Sequence, residues 1–226
     1  MHIEPGLVDA SKIVLSYATA AAAGGYAIKL AVDDTARQGL VSLVARSIAT
    51  TALVFSFFEV LPHYPTGVSE VHFIFGSTLF LLFGAAPAAI GLALGLLLQG
   101  LLFASPDLPQ YGMNVTTLLV PLFAVQALAD RIVAPNTPYA DLGYGQALAL
   151  STAFQGGVVA WVAFWALYGG GFGAENLSSV AVFGGAYMLV VLIEPVLDLA
   201  VLAAAKFARG LTSTGLFTSR LHAASV

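Results

Sequence analysis

From residue 71 to residue 104 the chain runs 34 residues without one Asp, Glu, Lys or Arg. A membrane-spanning helix needs only about 20 apolar residues at about 1.5 Å of rise each, so this run exceeds one bilayer crossing. The rest of the chain follows suit: 59% of its 226 residues are apolar, 9% are charged, and the mean hydropathy is +0.91. A water-soluble domain carries roughly 25% charged residues. This chain has too few to cover a water-facing surface, which makes the bilayer its solvent and an all-α polytopic bundle its fold class.

Seven apolar segments are expected, at about 11–32, 40–61, 70–84, 86–104, 113–133, 145–168 and 179–206. The third is short and is parted from the fourth only by Gly84-Ala85-Ala86-Pro87, so the pair reads either as two spans or as one kinked or re-entrant unit, six to seven helices in all. Pro62, Pro65, Pro106, Pro109, Pro135 and Pro138 fall between segments, where a missing N–H does least harm. With no internal repeat, residues 1–226 form one transmembrane domain whose tail, 207–226, is expected in the cytoplasm. Cytoplasmic loops of membrane proteins are enriched in Lys and Arg. Lys29, Arg37, Arg46, Arg131, Lys206, Arg209 and Arg220, seven of the eight basic residues, share one side if the N-terminus is outside; Lys12 alone dissents.

Several functions are excluded or disfavoured. Without Cys there is neither a disulfide framework nor a thiolate metal site. A net charge of −4 and scattered basic residues give no patch for nucleic acid. No Gly-x-x-x-x-Gly-Lys-Ser/Thr loop is present, so the chain is not expected to hydrolyse ATP, nor is it an enzyme: no His-Glu-x-x-His pattern supports an intramembrane metalloenzyme. The start, Met-His-Ile-Glu-Pro-Gly, lacks the basic and cleavage regions of a secretory signal. Because His2 is large, Met1 is expected to be retained.

With the N-terminus outside, His2, His63, His72, Asn114 and Glu175 gather at or near the outer face. A free amine followed by His is a chelator: the Met1 amine, the deprotonated His2 amide and the His2 imidazole close fused five- and six-membered rings. These three nitrogens near one plane leave one equatorial position open. Such ligation suits Ni(II) and Cu(II) and accommodates Co(II). As a bare dipeptide, Met-His is also what chance supplies. His72, placed at the outer start of the third segment, is a candidate fourth nitrogen. Taken alone, it reads equally as a helix-terminal His bonded to a loop carbonyl, although ionisable groups at membrane depth are functional candidates by default.

At these residues the chain resembles the substrate-binding membrane component of cobalt/nickel energy-coupling-factor (ECF) transporters, the CbiM/NikM family. The resemblance rests on Met1-His2-Ile3 before a Gly-containing turn, on His72 twelve residues before the Gly of Phe83-Gly84, and on Gly112-Met113-Asn114. It covers about residues 1–125. It implies a bound substrate ion, Co(2+) or Ni(2+), held by Met1, His2 and His72, with Asn114 ordering the site nearby. It also implies partners: an ECF coupling transmembrane subunit, two ATPase subunits and a small accessory membrane subunit, in the plasma (inner) membrane. The chain departs from the pattern at Glu4-Pro5 and at Val71-His72-Phe73. His63, ahead of Pro65-Thr66-Gly67, mimics the family's His motif nine residues early, but only His72 has the spacing to Gly84.

Other polar residues stay open. Glu59 and Glu70 bracket the outer loop and either orient an imidazole or are solvated acids. Glu194 and Asp198, four residues apart beside Pro195, read as structural or partner-facing groups. In a secondary transporter or channel, the rival reading, they would be the permeation groups. Ala18 and Ala22 lie on a small-residue strip of the first helix that suits close helix contact, whether with the coupling subunit or within the bundle. Gly91, Gly95 and Gly100 read as internal packing.

Overall fold

The computed structural model describes Ile3 and residues 6–207. Met1 and His2, and the tail beyond Phe207 with Arg209, Arg220 and His222, lie outside the described residues. The described chain is an all-α bundle: α1 (Ile13–Gln38), α2 (Leu40–Glu59), a hairpin of β1 (Tyr64–Thr66) and β2 (Ser69–Val71), α3 (Gly76–Phe83), α4 (Ala85–Leu102), α5 (Tyr111–Ile132), α6 (Tyr144–Gly170) and α7 (Ala174–Phe207). Six of these helices are long and apolar enough to cross a membrane.

Glycine makes the sharp corners. Gly39 (φ 83°, ψ 153°) parts α1 from α2, and Gly84 (φ 94°, ψ 166°) parts α3 from α4. Side chains make this backbone region essentially glycine-only, so one residue reverses the chain where a longer loop would expose unpaired peptide groups. The glycines of α4 serve packing, as their spacing predicts. A Cβ on Gly91 would fall inside the Thr50 side chain, and one on Gly95 would lie 2.6 Å from Val54 Cγ1. With almost no hydrophobic force between helices in lipid, close backbone approach supplies the association.

The third segment differs from expectation. It is not a helix over 70–84; α3 has 8 residues, about 12 Å at helical rise, against a hydrocarbon core of about 30 Å. His72 therefore does not open the third helix. It follows β2 and is separated from Gly76 by non-helical backbone through Phe75, which sits in the left-handed region at φ 53°. Such backbone is tolerated at membrane depth only where the protein itself satisfies it. Here Glu194 Oε1 of α7 accepts from Ile74 N at 2.8 Å and Phe75 N at 2.9 Å, and Glu194 Oε2 accepts from the Gln155 amide of α6. One turn on, Asp198 accepts from the Ser77 hydroxyl at 3.4 Å and from the Thr78 hydroxyl.

The other end of α3 meets a cation. Arg46, fully buried, donates from Nη1 to the Phe83 carbonyl at 2.6 Å, from Nε to Ser42 Oγ at 3.2 Å, and pairs with Asp34 of α1. Thus α3 carries carboxylates at its N-terminal end and a guanidinium at its C-terminal end, the arrangement that complements a helix dipole.

Replacing Gly91 by Ala should lower stability by about 1–3 kcal/mol through overpacking, read as a fall in thermal midpoint of the detergent-solubilised protein. Gly25→Ala is the control, since nothing lies within 4 Å of a Cβ at Gly25; its midpoint should hold or rise.

Candidate metal site

The hairpin carries the site. β1 and β2 pair antiparallel, Tyr64 opposite Val71 and Thr66 opposite Ser69, around a turn at Gly67 with φ 63°. Ile3 adds an isolated antiparallel bridge to Ser69, and its N–H donates to Asn114 Oδ1 of α5 at 3.0 Å. Ile3 is 0% exposed, and Asn114 and His72 are 1% exposed. Ile3 is thereby fixed between β2 and α5.

Local sequence explains the position of Asn114. Gly112 lets α1 and α5 touch, because a Cβ there would lie 2.9 Å from the Ser16 carbonyl oxygen. The next residues turn inward, which brings the Asn114 amide beneath Ile3. A Gly two residues before an Asn thus has a physical purpose: close approach first, then a buried acceptor.

His72 is held on several sides. Nε2 lies 2.9 Å from Glu70 Oε2. A carboxylate only accepts, so Nε2 is the donor in this contact. The Phe58 ring packs edge-on at 5.1 Å, and the His63 ring stacks nearly parallel, 9° apart, at 4.9 Å. The Tyr187 hydroxyl of α7 donates to the His72 carbonyl at 3.2 Å.

Of the residues expected from sequence, the fold brings His72, His63, Glu70 and Asn114 to this one end. Asn114 is linked to the others through Ile3 and Ser69. Met1 and His2 lie outside the described residues and directly precede Ile3 in the chain. Ala18 and Ala22 are exposed on the outer face of α1, whereas Ala23 is buried in the bundle. Among the described residues, no group of three or more His, Cys, Asp or Glu side chains could hold a metal. Any complete ligand set therefore needs donors beyond those side chains.

The sequence did not reveal three participants. Ile3 is an ordinary apolar residue whose contribution is its backbone. Tyr187 and Glu194 act across 115 and 120 residues of sequence. The i, i+4 spacing of Glu194 and Asp198 in an apolar helix was the available signal, and it marked them as important without naming their partners.

Asn114→Ala leaves a buried N–H without an acceptor, a loss of about 1–3 kcal/mol. Amide hydrogen exchange should show lower protection at the N-terminal segment, with the middle of α5 unchanged.

Against known families, the model of CbiM, the cobalt uptake substrate-specific transmembrane region, matches residues 2–210. No curated protein and no solved structure matches the chain.

Proposed function

This chain belongs to the CbiM family of cobalt uptake substrate-specific transmembrane regions, and we propose that it captures the metal with its own amino terminus. The ligands are the Met1 amine, the His2 amide nitrogen, the His2 imidazole and His72. The observation that carries this reading is the position of Ile3, bridged to Ser69 and bonded to Asn114. Ser69 lies three residues before His72, so Ile3 is held beside the segment that carries His72. Two peptide steps of about 3.8 Å each tether Met1 to this fixed residue.

The buried surroundings suit a site that closes over its ion. Glu70 orients the His72 ring, the usual way a carboxylate sets a ligating imidazole. Planar nitrogen ligation serves Ni(2+) as well as Co(2+), and Cu(2+) would bind such donors more tightly than either; availability then contributes to selectivity.

Transport needs an energy source. With no nucleotide-binding loop of its own, the chain acts as the substrate-binding subunit of an ECF transporter, with a coupling membrane subunit, two ATPase subunits and a small accessory subunit. The basic side chains of Lys29 and Arg37 line one charged depression with Asp33, Asp34 and Asp130 at the Gly84 end of the bundle. By the basic-residue rule this supports an orientation with that end in the cytoplasm and the hairpin and N-terminus outside the plasma (inner) membrane. Glu194 and Asp198 are engaged by backbone N–H groups and hydroxyls, which favours this reading over a secondary carrier or channel that would use them for permeation.

Three measurements test the proposal. Adding one residue before Met1 converts the amine to an amide and should abolish Ni(2+) and Co(2+) binding in titration calorimetry; equal binding would refute the mechanism. His72→Ala should weaken binding sharply and His63→Ala much less, while Glu70→Gln should cost about 10–100-fold in affinity. Affinity should also fall with acid below about pH 6, because the imidazole and amide ligands must shed protons to bind.

A further inference from the structure

Three side chains of α7 hold the strand-to-helix link that carries His72. Tyr187 donates to the His72 carbonyl, Glu194 accepts from Ile74 N and Phe75 N, and Asp198 accepts from the Ser77 and Thr78 hydroxyls. Positions 187, 194 and 198 are spaced 7 and 4 apart, one face of a helix. Eleven helical residues rise about 16 Å. Residues 72–78, four extended steps and two helical ones, also cover at most about 16 Å. The two elements run side by side in matched register. Beyond His72 the same contact continues, since the Gly67 backbone abuts the Ser179 carbonyl of α7 so closely that no Cβ fits.

The amino-terminal half of the site hangs elsewhere, on Asn114 of α5 through Ile3. Ile3 is also bridged to Ser69 of β2, so α5 enters the site only through Asn114, whereas α7 holds the link that follows His72. A displacement of α7 by one residue, about 1.5 Å, exceeds the tolerance of about 0.2 Å on a metal–ligand distance. Furthermore, α7 has 34 residues, about 51 Å, and so extends well past a hydrocarbon core of about 30 Å. Pro195, next to Glu194, removes a helical hydrogen bond at the level of the anchor and permits bending there.

We propose that Glu194 is a positioning residue for His72, and that α7 is the element whose displacement releases the metal. This rests on the reading of His72 as a ligand. Force applied to the projecting end of α7 reaches the site along the Asp198–Glu194–Tyr187 face and shifts His72 against the Asn114 anchor of Ile3 on α5.

The test is the dissociation rate of Ni(2+) from the purified protein with its native amino terminus, measured by chelator chase. Glu194→Gln should accelerate release about 10–100-fold, the range for residues that orient a ligand, with binding stoichiometry kept. Gly91→Ala, which loosens α2 against α4 away from this path, should leave the rate unchanged although it lowers the thermal midpoint. Equal rates for Glu194→Gln and wild type would overturn the proposal, as would an equal acceleration by Gly91→Ala. Should Glu194→Gln fail to fold, Tyr187→Phe removes only the bond to His72, and an unchanged release rate there overturns the proposal as well. Failure of the wild type to bind Ni(2+) or Co(2+) sinks the metal site itself; normal wild-type binding with insensitive variants sinks only the role of α7.

Discussion

Everything at the hairpin end of the bundle depends on one interaction: the Glu194 carboxylate accepting two consecutive backbone N–H groups ahead of α3. Hydrocarbon offers no water to an unpaired peptide group, and each one left bare costs several kcal/mol. A chain that breaks its helix at membrane depth must therefore bring its own acceptor. Glu194 is that acceptor, Asp198 extends it to the first turn of α3, and Arg46 answers at the far end by binding the Phe83 carbonyl. Removing any one leaves a buried charge or peptide group without its partner, which is far costlier than never having placed it there.

The break is what gives His72 its reach. Inside a continuous helix its carbonyl would be committed to the residue four positions on, and its ring direction would be set by the helix surface. In the non-helical link the carbonyl bonds to Tyr187 instead, while Glu70, two residues away along the chain, meets the ring nitrogen. A period of two makes residues 70 and 72 share a face, and this is the geometry that lets a neighbouring carboxylate orient the imidazole. The bundle thus accepts three buried ionisable side chains, Arg46, Glu194 and Asp198, around one break in a helix.

Much of this architecture was legible in the sequence, and the rest for definite reasons was not. Long apolar runs with few charges marked the six long helices among the seven expected segments, and the glycines of α4 announced their packing role. The stretch from Val71 to Phe75 was misread because hydropathy reports whether a residue prefers lipid, not which backbone conformation it takes. Val71, Phe73 and Ile74 suit a strand at least as well as a helix, but the deciding acceptor lies on α7, 120 residues away. Arg46 was likewise counted only as a topogenic charge, since nothing local reveals that Asp34 and the Phe83 carbonyl would enclose it. The resemblance that singled out Met1, His2 and His72 named the ligands without saying how the chain start is held.

That holding bears on how many nitrogens the amino terminus can offer. A free amine followed by successive peptide bonds can bind a metal through each amide in turn, provided each gives up its proton. The Ile3 N–H is spent on Asn114 at 3.0 Å in a buried setting, which keeps its proton in place and removes it as a donor to metal. In the proposed site, chelation by the chain start would then stop at His2, after amine, amide and imidazole. Three nitrogens in one plane would leave a single vacancy, the one assigned above to His72. On that reading Asn114 is more than an anchor: by occupying one amide it would make the site dependent on His72, and through His72 on the position of α7.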